Sequence, residues 1–359
     1  MDETFLRLVR AGTGHASGEL PEAVDWRALS ALADRQGLTA VVWDAVAELL
    51  TQGALTGERE LPKDLKYEWF GNALFYEQKY ESYKAAIGSL AEFYSSRGFR
   101  MMLLKGYGLS LDYPVPSHRP CGDIDVWLFG SYKEADAAIA SAAGVKVDDS
   151  HHHHTVFKWK GYSVENHYDL VNVHAFRSNV GLEKVFKELA MDDRRSVEVN
   201  GAHVYLPSAD FNALFLLRHA MLHFASTSIN LRQVLDWGFF MEKHSAEIDW
   251  KWFEDMLERF YMLGFYDCLR RICVEDLGFS PTAFKIDGGV EASLKARVLN
   301  DILSPEFQGR EPEGLVRRVW FKFRRRCANT WKHRLCYREG VISSFFVSVW
   351  GHLLKPKSI

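Results

Sequence analysis

The sequence predicts an α+β fold: a small mixed β-sheet core flanked by N-terminal helices and a C-terminal helical domain. Three observations carry this. Apolar residues recur every three or four positions up to residue 97 and again from residue 207, the spacing of a helix face. Between residues 98 and 206 short runs alternate apolar and polar positions, as half-buried strands do. The length of 359 residues is sufficient for two or three packed units. The expected division is therefore 1–97, 98–206 and 207–359.

In chain order, Asp25-Trp26 precedes a run with Leu29, Leu32 and Ala33 at helical spacing, and Val41, Val42, Ala45, Val46 and Leu49 form a second. Gly53 to Pro62 is a loop. A long helix follows, with Tyr67, Phe70, Leu74, Tyr76, Tyr80, Tyr83, Ile87, Leu90, Phe93 and Tyr94 forming an aromatic stripe expected to face the core. Arg100 to Leu104 is a short apolar strand leaving through Lys105-Gly106, and Tyr107 to Tyr113 fits a helix stopped by Pro114 and Pro116. Gly122 to Phe129 reads as a second strand, Lys133 to Ala143 as a helix, and Val145 to Val147, Thr155 to Trp159 and Tyr162 to His174 as further strands. Helices resume after Pro207-Ser208, with Ser208 as N-cap. Leu214, Leu217, Met221 and Phe224 mark one face, and Leu231 to Phe240, Trp250 to Tyr261 and Phe265 to Leu277 are three more helices. Near the end Val341, Ile342, Phe345, Phe346, Val349, Trp350, Leu353 and Leu354 make one apolar helical face.

Composition excludes several classes. The net charge of -3 implies no global attraction to nucleic acid or membrane. No apolar run approaches the roughly 20 residues of a membrane span, and the acidic start Met1-Asp2-Glu3 is unlike a signal peptide. The five cysteines lack CxxC spacing, which fits reduced thiols in a cytoplasmic protein.

The chemistry concentrates around two short stretches. In Gly122-Asp123-Ile124-Asp125-Val126 two carboxylates share one strand face. Strand interiors disfavour aspartate, and side-by-side carboxylates repel, so a divalent cation such as Mg²⁺ is the natural compensation. In Leu104-Lys105-Gly106 a glycine turn lets the backbone approach a phosphate, and Lys105 adds positive charge. A third acid comes from Val164-Glu165-Asn166-His167-Tyr168-Asp169, where Glu165, His167 and Asp169 share one face. Glu165 is the mid-strand choice and Asp169 its rival, and His167 serves either as a structural or substrate contact or as a metal ligand.

These stretches, Leu-Leu-Lys-Gly, then Arg-Pro-x-Gly-Asp-Ile-Asp-Val, then Val-Glu-x-His, resemble the uncharacterised nucleotidyltransferase family of the polymerase-β-like superfamily. Leu206-Pro207-Ser208, His219, His223 and Leu231-Arg232-x-x-x-Asp236-Trp237 are similar to that family's helical half, so the resemblance spans roughly residues 100 to 260. It implies a small-sheet nucleotidyltransferase core at 98–206 and metal-dependent transfer of a nucleoside monophosphate from an NTP to an acceptor hydroxyl, on a small molecule or protein, with release of pyrophosphate. It further implies Asp123, Asp125 and Glu165 as catalytic residues and ligands of Mg²⁺ or Mn²⁺. The superfamily's usual turn is Gly-Ser or Gly-Gly; here Lys105 precedes Gly106 and Tyr107 follows it.

The remaining candidates carry alternatives. Arg119 either clamps a phosphate bidentately or makes a loop salt bridge. His219 and His223 lie i, i+4 without the glutamate of a zinc protease motif, which favours packed or substrate-facing histidines. Arg232 and Asp236 have the spacing of an intrahelical ion pair. His167, His223 and Arg232 are candidate substrate contacts. His151 to His154 read as a turn that captures metal only adventitiously. The stretch from Arg317 to Arg338, with Trp320, Phe321, Phe323 and Trp331 interleaved, is a solvated helix face or a nucleic-acid track, and the chain's negative charge favours the former. Two other functions stay open: a degenerate transferase that binds nucleotide or a partner, and an RNA-modifying transferase.

Overall fold

The computed structural model describes residues 1–338 apart from residues 17, 175 and 311. The apolar face expected from Val341 to Leu354 lies outside these residues. The chain forms two compact units. One is helical and comprises residues 1–77, 112–120 and 216–338; the other carries the sheet and comprises residues 78–111 and 121–215. Two helices therefore serve both: α4 (Lys63–Ser95) changes unit at residue 78 and α8 (Ala209–Ser226) at residue 216.

The helical unit begins with α1 (Asp2–Gly12), α2 (Trp26–Gln36) and α3 (Thr39–Thr51). Asp25 caps α2 by accepting the Ala28 N–H, as an N-cap aspartate does for an orphan first-turn donor. Leu29, Leu32, Ala33, Val41, Val42, Ala45 and Val46 are all buried, the two stripes that helical spacing predicts. In the first half of α4 the phase differs from the predicted stripe. Leu65, Trp69 and Ala73 face inward while Tyr67, Phe70 and Leu74 are exposed. Trp69 anchors this phase: it is fully buried and donates its indole N–H to the Thr39 carbonyl at 2.9 Å. The unit is completed by α9 (Leu231–His244), α10 (Trp250–Arg259), α11 (Leu263–Arg271), a π-turn over Ile272–Asp276, α12 (Ala292–Leu303), α13 (Leu315–Ala328) and α14 (Thr330–Cys336). Asn230 and Gln233 form a capping box that starts α9. Arg10 donates to the carbonyls of Glu275 and Asp276, satisfying acceptors that a helix end leaves open. The basic C-terminal stretch is not wholly solvated: Lys332 is fully buried against Asp301 at 2.5 Å.

The sheet unit has six strands in the order β3-β4-β2-β1-β6-β5. They are β1 (Met102–Leu103), β2 (Ile124–Trp127), β3 (His154–Trp159), β4 (Tyr162–His167), β5 (Ser196–Val199) and β6 (Ala202–Tyr205), with helices α5 (Tyr107–Ser110), α6 (Tyr132–Ala143) and α7 (Arg177–Leu189) between them. The sheet is mixed: β2 runs antiparallel to β1 and parallel to β4, and β1 runs parallel to β6. Several predicted strands shrink or vanish. Val145 to Val147 is no strand, and Asp148 forms only an isolated bridge to Val156. The strand expected to reach His174 ends at His167, because the Glu183 carboxylate accepts the N–H groups of Leu170 and Val171 and bends the chain away.

One face of this sheet is the core. Ile124, Val126, Val164 and Phe157 pack with Tyr83, Ile87, Leu90 and Tyr94 of α4 and Ala135 and Ile139 of α6. Asp136 of α6 also accepts from Asn166 at 2.8 Å and Thr155 at 2.9 Å, two residues that face each other across β3 and β4. With this face apolar, the strand alternation sends Asp125, Glu165 and His167 to the other.

In the helical unit the segment 112–120 is held by side chains. His118 contacts Asp44 at 2.8 Å and Glu77 at 3.0 Å. Burial works to lower the imidazole's pKa, but these two carboxylates outweigh it and raise it. A group whose pKa is raised by folding stabilises in its protonated form. Its contribution is therefore complete below about pH 6.5 and is lost as pH climbs through the raised value. Thermal melts at pH 6 and pH 8.5 check this: the wild type should lose stability over that interval, and His118→Gln should lose measurably less.

Candidate active site

The site grows from three strand ends. Leu104 donates its N–H to the Asp125 carbonyl at 3.1 Å, so the exit of β1 lies beside β2. Lys105 follows and reaches back to Asp125, with Nζ 2.8 Å from Oδ1. On the other side of β2 the parallel register sets Asp125 opposite Glu165 and Trp127 opposite His167. The His167 Nε2 stands 3.1 Å from the same Asp125 oxygen and 3.7 Å from Glu165 Oε2. Antiparallel pairing of β3 with β4 then puts His154 directly across from His167.

The electrostatics follow from burial. Asp125 is only 3 % exposed. Burial alone would raise its pKa, yet Lys105 and His167 override that and hold the carboxylate well below the usual range. Burial likewise opposes the charged forms of Lys105 and His167, and in both the neighbouring carboxylates, Asp125 first, win and raise the pKa. Glu165 is held low against burial by its contact with His167. Asp123 goes the other way: although the residue is exposed, partial desolvation of its carboxyl and then repulsion from Asp125 raise it.

Not every predicted site residue joins this group. Asp123 precedes β2 rather than lying within it and is exposed. Two sets of side chains, among the described residues, bring ligand atoms within 4.8 Å of one another: Asp125 with Glu165 and His167, and His153 with His154 and His167. Asp123 belongs to neither, although Asp125, Lys105 and Glu165 all act on its charge. Asp169 lies beyond the end of β4, where Lys187 of α7 binds it at 2.5 Å.

Arg119 belongs to the helical unit. Its guanidinium is buried and bidentate on Asp236, at 2.8 and 2.9 Å, and Tyr113 donates to the same carboxylate at 2.7 Å. Of its two predicted roles this is the loop salt bridge. Arg232 does not form the expected pair one turn along α9; it donates to the Pro120 carbonyl at 3.1 Å. Both arginines thus fasten segment 112–120. The rings of His219 and His223 meet with 3.3 Å between their Nε2 atoms, and His223 is exposed.

Sequence reasoning assigned His153 and His154 to a turn, whereas His154 opens β3. Four consecutive histidines read identically at every register, so only the position of the hairpin turn could reveal which one faces His167. That turn is Lys160-Gly161, both with positive φ at 46° and 89°, the two-residue type I′ arrangement of a tight hairpin. Asn200-Gly201, at 50° and 82°, makes the same turn between β5 and β6.

Gly106 is required by shape. Its φ is 65° and ψ -114°, a backbone open to glycine alone, and a Cβ there would strike the Tyr83 hydroxyl. That hydroxyl donates to the Asp123 carbonyl at 2.7 Å, so the turn and the carboxylate strand share one tether. The following helix α5 has only four residues, leaving little dipole at its start. Gly106→Ala should cost at least about 1–3 kcal/mol in backbone strain; urea unfolding measures it.

A profile of an uncharacterised nucleotidyltransferase family matches residues 22–278. No curated protein and no solved structure matched the chain. The matched range covers well over half of the 359 residues and includes every strand of the sheet and the whole carboxylate–lysine cluster. The chain belongs to this uncharacterised nucleotidyltransferase family.

Proposed function

We propose that the protein transfers a nucleoside monophosphate from an NTP to an acceptor hydroxyl, with Mg²⁺ or Mn²⁺ as cofactor. The observation that carries this reading is the convergence of Asp125 and Glu165, opposite each other in parallel register, with Lys105 and the Gly106 turn at one edge. Carboxylate oxygens converging within 4.8 Å are the donor chemistry that a hard divalent ion prefers. Asp125 and Glu165 would hold the ion, with Asp123 joining from the exposed end of the strand. Bound there, it would neutralise charge at the α-phosphate and lower the pKa of the acceptor hydroxyl.

The chain's own residues supply the rest. Lys105 is half-buried against Asp125, with Asp123 and Glu165 also favouring its charge, so it can offset a polyphosphate once it swings from Asp125. Gly106, packed under the Tyr83 hydroxyl, fixes the turn that carries Lys105 beside the carboxylates. As the acceptor oxygen bonds to the α-phosphorus, the bond to the β-phosphate oxygen breaks and pyrophosphate leaves. The acceptor's proton passes to Glu165, which is kept ionised by His167 and is therefore able to accept it. His167 is a positioning residue that orients Asp125. The acceptor is a small molecule or a protein.

A second reading, nucleotide binding without transfer, draws on one observation: Asp125 is paired with both Lys105 and His167. Incubation with α-labelled NTPs, Mg²⁺ and a cell extract separates the two. Transfer predicts labelled product and pyrophosphate, reduced by at least about 100-fold in both Asp123→Asn and Asp125→Asn. Asp123 is exposed, so its variant should fold normally. Full turnover by Asp123→Asn and Asp125→Asn together would remove these carboxylates from the chemistry. Mg²⁺-dependent NTP binding with no pyrophosphate would establish the second reading.

A further inference from the structure

The second histidine set is not accounted for by nucleotidyl transfer. His153, His154 and His167 each bring a ring nitrogen to within 4.8 Å of the others. The rings lie close, with centroids 4.4 Å apart for His153 and His154 and 5.2 Å for His154 and His167. The Nδ1 atoms of His153 and His154 are buried and have no hydrogen-bond partner among the described residues. His154 is itself only 7 % exposed. The Glu165 Oε2 stands 3.8 Å from His154 Nδ1, beyond hydrogen-bond reach. Buried polar nitrogens left open in this way are costly, and here two of them converge.

We propose that His153, His154 and His167, with Glu165 as a fourth donor, form a binding site for a borderline divalent ion of the Zn²⁺ class. Imidazole selects Zn²⁺, Co²⁺ and Ni²⁺ over Mg²⁺, and three nitrogens with one carboxylate make the four-coordinate set Zn²⁺ favours. Ligands at Zn–N distances of about 2.0–2.1 Å lie roughly 3.3 Å apart in a tetrahedron, so modest side-chain rotations close the set. The Nδ1 of His167 lies 3.3 Å from the Asp169 carbonyl, the outer-shell hydrogen bond that fixes the ring of a ligating histidine. His167 is common to both sets, so an ion held by the imidazoles would draw it from Asp125.

The site rests on the Mg²⁺ reading only through the shared Glu165 and His167; His153 and His154 belong to this site alone, and a test that reads metal binding at those two residues can fail while nucleotidyl transfer stands. The full chain is dialysed against Co²⁺ in millimolar Mg²⁺ at neutral pH, and retained metal and visible d–d absorption are measured. One equivalent should remain, with the intense bands of a four-coordinate ion. His153→Ala and His154→Gln should each weaken binding by about 10-fold or more, while the double variant His151→Ala, His152→Ala should retain the equivalent. His153 is partly exposed, so its variant tests the site even if His154→Gln folds poorly. Failure to retain Co²⁺, retention unchanged in His153→Ala, or loss in the His151, His152 variant would each overturn the proposal, the last by assigning the ion to His151 and His152.

Discussion

Asp125 is a carboxylate held in the interior of a sheet, and the surrounding structure is arranged to keep its charge there. An isolated buried charge is strongly unfavourable, and removing one partner of a buried pair typically costs about 3–5 kcal/mol. Lys105 answers it from the end of β1 and His167 from β4. This one requirement explains why β2 sits between those two strands and why the lysine precedes the glycine turn. It also explains why the opposite face of the same strands is filled entirely by apolar packing and the Asp136 hydrogen bonds. The outcome is a polar face with fixed members over a rigid apolar support.

The second organising element is the ion pair of Arg119 with Asp236, 117 residues later. It consumes a guanidinium that stands only four positions before Asp123, and with Tyr113, His118 and Arg232 it fastens segment 112–120 within the helical unit. The carboxylate strand follows directly from a segment whose own geometry is independently determined. Beside the carboxylate cluster, Lys105 is the cation paired with Asp125.

Much of this was legible in the residues alone. Asp123 and Asp125 drew attention because aspartate is disfavoured within strands, and Glu165 because it occupies mid-strand in an alternating run. The helical stripes at Leu29, Leu32 and Ala33 and at Leu214, Leu217, Met221 and Phe224 are buried as their spacing requires. Other features depend on choices that spacing leaves equal. On α4 two stripes have helical period, and the aromatic one, Tyr67, Phe70 and Leu74, faces outward because Trp69 fits the core better. The partner of Arg119 was invisible because nothing local distinguishes Asp236 from Asp123 as its counter-charge. The β5–β6 hairpin carried a readable signal in Asn200-Gly201, whereas Lys160-Gly161 is weaker because lysine adopts positive φ less readily than asparagine.

That weaker turn has a consequence for how this family can vary. With only two residues at the tip, the hairpin locks β3 against β4, and side chains on paired strands change faces with every single-residue slip. A one-residue insertion or deletion at Lys160-Gly161 would therefore turn His154 into the apolar layer and present Thr155 in its place. Length drift at the tip of β3 therefore moves every side chain of the strand at once. Among relatives that keep a histidine opposite His167, the loop between these strands should be invariant in length even where its residues differ.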